Sequence, residues 1–115
     1  MPQYLLLLHE EPSTYRHLGA DQMQATIQRY KRWMEGLRND KRMVGGDKLR
    51  DGSGRVLRPE GPKVTVTDGP YSEVKEVIGG YFKLAADDYD HAVELAKSCP
   101  HIEFGTIEVR EIEPT

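Results

Sequence analysis

The chain has 115 residues, of which 37% are hydrophobic and 30% charged, and a formal net charge of -3. That length suits one domain, residues 1–115, with a core of its own, and so mild a charge argues against a nucleic-acid partner. A single cysteine, Cys99, excludes an internal disulfide and a thiolate metal cluster, and His17, His91 and His101 have no ligand spacing, so no metal is expected.

The opening MPQYLLLLHEE has no basic segment before its leucine run, no cleavage-like stretch after it, and too few apolar residues to span a bilayer. A cytoplasmic address without membrane attachment is expected. Residues 3–9 read as a central strand, with Leu5 and Leu7 on one face and Tyr4, Leu6 and Leu8 on the other. From about 20 to 39, Met23, Ile27, Tyr30, Met34 and Leu37 recur at spacings of four and three, which predicts a helix with one buried stripe widened by Trp33. Asp21 is placed to favour its first turn, and Asn39-Asp40 to end it.

Residues 42–50 predict a strand with a bulge or bend at Gly45-Gly46, and Asp51-Gly52-Ser53-Gly54 a turn. Short strands follow at 55–58 and 63–67, and a further strand at 77–85. Asp87-Asp88 offers a cap for a helix over 88–98 that turns Ala92, Leu95, Ala96 and Cys99 to one side. Pro100 closes that helix, and 104–112 returns as a strand carrying Phe104, Ile107, Val109 and Ile112. Basic residues crowd 29–50 and acidic ones 87–113, which reads as two solvated faces that dock within a fold or between protomers.

The order strand, helix, strand with a hairpin insertion, strand, helix, strand implies an α+β fold: a ferredoxin-like sandwich with a mainly antiparallel sheet and both helices on one face. An open sheet face on so small a domain is expected to be closed by a second copy, making a homodimer with a barrel-like interior and pockets between sheet and loops.

The densest concentration of chemistry is TDGPYSEVKEVIGGY, residues 67–81. Asp68-Gly69-Pro70 demands a sharp turn, and Gly79-Gly80 permits close backbone approach where the next strand begins. Asp68 can serve as a general base or as an Asx turn that holds its own backbone. Glu73, Lys75 and Glu76 can supply an acid, a clamp for an anion and a second carboxylate, or an ion-paired loop at a dimer interface. Tyr71 and Tyr81 read as pocket walls with a polar tip. His9, at the carboxyl end of the first strand with Glu10 and Glu11 beside it, carries the ring suited to proton transfer near neutrality, or simply ends the strand. Arg50, Lys75 and Arg110 can bind a carboxylate or phosphate if they converge. Cys99 at a helix end reads as a buried structural thiol, and neither glycine pair has the spacing of a phosphate loop.

Asp68-Gly69-Pro70-Tyr71, with the opening Tyr4-to-Leu8 strand, Gly45-Gly46 with Leu49, Gly79-Gly80-Tyr81, Cys99-Pro100 and the closing Glu108-Val109-Arg110, resembles the YCII-related family in its DGPF branch, with Tyr in place of Phe at 71. The resemblance implies a dimeric α+β barrel whose relatives include small-molecule enzymes. Some members are suggested to use a His and Asp pair, which has no secure match in this sequence.

Two functions compete. One is a cofactor-free enzyme that performs proton transfer, isomerisation or elimination on a small organic anion, with His9 or Asp68 as base and Lys75 or Arg50 steadying negative charge. The other is a noncatalytic dimeric module for a metabolite or a protein. The first expects a partly apolar pocket holding a base and a cation; the second expects the charged residues to pair with one another.

Overall fold

The computed structural model describes residues 1–11, 18–69 and 76–115, and the elements run β1 (Gln3–Glu10), α1 (Ala20–Asn39), β2 (Met43–Lys48), β3 (Arg55–Glu60), β4 (Lys63–Asp68), β5 (Val77–Ala85), α2 (Tyr89–Lys97) and β6 (Thr106–Glu111). Strands β2, β5, β1 and β6 lie side by side in that order, every neighbouring pair antiparallel, while β3 and β4 form a separate two-stranded ribbon. β1 and β2 therefore run the same way with β5 between them. This is the split strand-helix-strand arrangement of a ferredoxin-like sandwich.

The alternation of β1 sets the two faces. Tyr4, Leu6, Leu8 and Glu10 are buried, while Leu5, Leu7 and His9 on the other side are only half-covered. Leu6 pairs with Phe82 and Val109, and these join Leu84, Leu37 of α1, Ala96 of α2 and Cys99 just beyond it in the main core. Both helices thus lie on the inner face, and Trp33 ties them together: its Nε1 donates to the Leu95 carbonyl at 3.3 Å and to Ser98 Oγ at 3.0 Å, and its ring meets Phe82 edge-on at 4.9 Å. A buried indole needs such partners for its N–H.

The local signals hold where a cap or a bulge is involved. Asp88 is the N-cap of α2 and accepts from the His91 amide at 2.8 Å. The β2 ladder slips between Met43 and Gly45, the expected bulge. For α1 the N-cap is Gly19, whose amide donates to Gln22 Oε1 at 3.0 Å, and Asp21 lies within the first turn. The final strand is shorter than the pattern of 104–112 implies. Pro100–Glu103 winds into a turn of 3₁₀ helix, Phe104 caps it, and pairing starts at Thr106. Gly105 is the reason the chain can switch here, because a Cβ at that position would overlap the His9 carbonyl.

The outer face carries Leu5 and Leu7 at its centre, with Tyr81, Lys83, Glu108 and Arg110 opposite them on the flanking strands. Two pairs of polar groups interact on it. Tyr81 Oη donates to Asp47 Oδ2 at 2.7 Å, and His9 Nε2 lies 3.0 Å from Glu108 Oε1. Among the described residues no helix is long and apolar enough to cross a membrane.

Candidate functional site

The stripe of α1 is real, but only part of it is filled core. Leu37 is buried, whereas Ile27 is 39% exposed, because the first turns of the helix face an open space. Across that space lie Gly46 of β2 and Gly79 and Gly80 of β5, which have no side chains to fill it. The result is a cavity of about 510 Å³ between helix and sheet. Its wall is largely apolar, from Leu8, Met23, Ile27, Met34 and Phe82.

Three polar groups enter it from the wall. Glu10 continues the buried face of β1, and its carboxylate lies over Gly79, where a Cβ would overlap it. His101, 1% exposed, comes from the 3₁₀ turn, and Tyr30 from α1. His101 Nε2 lies 2.9 Å from the His9 carbonyl, and Nδ1 lies 3.2 Å from Tyr30 Oη. A carbonyl only accepts, so Nε2 carries a hydrogen, and Nδ1 of the neutral ring takes its hydrogen bond from the Tyr30 hydroxyl. The tautomer is set by backbone, and the phenol is held in place by the ring. Lys31, Asp47, Lys48 and Asp51 also line the cavity and are exposed to solvent, and Lys48 Nζ donates to Asp51 Oδ1 at 2.9 Å, so its mouth carries charge of both signs.

The residues singled out from sequence are distributed differently. His9 contributes its carbonyl to His101, while its ring is on the outer face with Glu108. Asp68 ends β4, is exposed, and lies 3.4 Å from Arg55 Nη1. Arg50 is in the exposed turn after β2, where its carbonyl accepts from Ser53 Oγ at 3.3 Å, and Glu76 is exposed just before β5. Tyr81 lies on the outer face with Asp47, whose hydrogen bond and charge hold its phenol proton above the usual range. Tyr71, Glu73 and Lys75 lie outside the described residues. Cys99 is buried, and that burial pushes its thiol up to about 11, as expected of a structural cysteine.

Glu10, Tyr30 and His101 were not singled out by sequence reasoning. Glu10 had a usable signal, since it is in phase with Tyr4, Leu6 and Leu8 on the buried side of β1. Tyr30 sat in the helix stripe and read as core. His101 carried no local mark, because its partners are 71 and 92 residues away.

An antiparallel ferredoxin-like sandwich with a largely apolar cavity, opened by glycines and entered by a carboxylate, a phenol and an imidazole, defines a small α+β protein. The chain belongs to the YCII-related family, whose domain model matches residues 2–115. No curated protein matches it. Among solved structures it is similar to 5-chloro-2-hydroxyhydroquinone dehydrochlorinase from Burkholderia phenoliruptrix AC1100, in complex with 2,5-dihydroxybenzoquinone, at 14% identity and a TM-score of 0.53, with 96% of this chain and 93% of that chain covered. At that identity the likeness is one of fold.

Proposed function

We propose that the cavity on the helix side of the sheet binds a small organic anion bearing a hydroxyl group and carries out proton transfer on it, as in an isomerisation or elimination. The observation behind this reading is the Tyr30–His101–His9 carbonyl chain beside the buried carboxylate of Glu10. A ligand hydroxyl that donates to the Tyr30 oxygen passes its proton there as Tyr30 passes its own to His101 Nδ1. The resulting imidazolium is held by the His9 carbonyl, with the Glu10 carboxylate in the same cavity. Glu10 is a second acceptor, for a proton on the ligand's carbon skeleton. Lys31 steadies the anion that results, while Lys48 at the same mouth is engaged by Asp51. The YCII-related relative that binds a dihydroxybenzoquinone is by name a dehydrochlorinase, an enzyme of elimination, which agrees with this class.

In this reading the chain acts as one domain, as a homodimer through its outer sheet face, in the cytoplasm. Arg50, exposed in the turn after β2, keeps its expected role of binding the ligand's anionic group as part of this proposal. His9 serves by its carbonyl, and Asp68 by pairing with Arg55.

The test is a panel of hydroxybenzoates and hydroxyquinones, screened by heat stabilisation and then by calorimetry, with deuterium exchange at the ligand followed by NMR. Binding should weaken at least tenfold in Tyr30→Phe, and exchange should stop in Glu10→Gln with binding retained. Binding without exchange in the wild type would leave a noncatalytic metabolite-binding module. Affinities untouched by both substitutions would move the site elsewhere.

A further inference from the structure

The β3–β4 ribbon is amphipathic, and among the described residues its apolar side is uncovered. Directly opposed residues share a face, so Leu57 with Val66 and Pro59 with Val64 form one side, ended by Arg55 with Asp68, while Val56 with Thr67, Arg58 with Thr65 and Glu60 with Lys63 form the other. The polar side is internally bonded, Thr65 donating to Glu60 at 2.7 Å. The apolar side is bare: Leu57 is 63% exposed, Val64 61% and Val66 57%. Among the described residues the two strands pack to any extent only on each other. The radius of gyration is 16.2 Å, against about 13 Å for a compact chain of this length, so the ribbon stands out from the body as an arm. A lone two-stranded hairpin is marginal in water, and an apolar face on one needs a cover.

We infer that the cover is a second copy of this chain, with the apolar face of each arm seated on the outer sheet face of its partner around Leu5 and Leu7. Area decides between this and the simpler pairing of arm on arm. At these exposures each side chain of the four-residue face offers on the order of 100 Å², or about 400 Å² in all. Two arms packed on each other would bury only that much per copy, half of the roughly 800 Å² per partner of a stable interface. Reciprocal exchange buries an arm face and a sheet face on every copy and reaches it. The outer sheet face offers a seat at Leu5 and Leu7, with His9 beside Glu108 and Tyr81 bonded to Asp47, and with the cations Lys83 and Arg110 directly flanking Leu5. Since β2 leads into the arm and lines the cavity through Gly46 and Lys48, exchange would also hold the cavity mouth to the partner.

This inference rests on the homodimer reading and is tested so that the two can fail separately. Sedimentation equilibrium is run on the wild type and on the triple variant Leu57→Ser, Val64→Ser, Val66→Ser, with circular dichroism to check folding. A wild-type dimer whose dissociation constant rises at least tenfold in a folded triple variant supports arm exchange. An unchanged constant overturns the exchange and leaves the dimer. A wild type that is monomeric at every concentration overturns both and assigns the arm to a different partner. A second measurement covers a triple variant that does not fold: Leu7→Cys protein is mixed with Val66→Cys protein under mild oxidation, Cys99 being buried. A disulfide-linked heterodimer formed only in the mixture supports the exchange, and its absence overturns it.

Discussion

Gly79 shows how much the site depends on atoms that are not there. Its missing side chain is where the Glu10 carboxylate lies, so Gly79→Ala forces that carboxylate out or the strand aside. Overpacking of this kind costs on the order of 1–3 kcal/mol. Urea unfolding should register that loss, and calorimetry should show ligand binding weakened along with it. Cys99 makes a different prediction. In the folded chain burial keeps its proton to about pH 11, against an ordinary value of 9.0, so the unfolded thiol ionises first. The contribution is complete below pH 9 and is lost as pH rises towards 11, with an upper bound of about 2–3 kcal/mol. Urea midpoints should fall across that window in the wild type and fall less in Cys99→Ala, which starts lower because of the cavity it leaves. Asp68, at an exposed pair with Arg55, should change stability by less than about 0.5 kcal/mol as Asp68→Asn, measured the same way.

At the scale of elements, the periodicities of the chain translate almost directly. The spans of α1 and β5 match their apolar patterns, and the cap at Asp88 fixes the start of α2. Asp88→Ala should therefore cost about 1 kcal/mol in urea unfolding, because the His91 amide loses its acceptor. The exception is the entry to β6. Phe104 fits an alternating strand by type, but Pro100 starts a 3₁₀ turn that brings His101 to the cavity, and strand pairing is postponed to Thr106. Tertiary need overrides the local pattern there, since the His101 ring must reach the carbonyl of His9 across Gly105.

For the molecule as a whole, the arm and the body are separable. Replacing Arg55–Asp68 by a short Gly-Ser linker should leave the emission of Trp33 and the far-ultraviolet helix signal unchanged, because the core around Trp33, Phe82 and Leu95 draws nothing from the ribbon. A shifted Trp33 emission would mean that the arm supports the core. The sequence alone determined the order of elements, the two faces of β1, and so the sandwich, because strand alternation, helix periodicity, caps and turns are local properties read within a few residues. It also determined that glycine pairs would let backbones come close. Only the tertiary structure decided that Gly46, Gly79 and Gly80 meet beneath the first turns of α1, that Glu10, Tyr30 and His101 enter the same cavity, and that His9 turns its ring away. Those facts depend on strand order and register, which join residues as far apart in the chain as Tyr4 and Glu111, and no spacing along the chain encodes such a meeting.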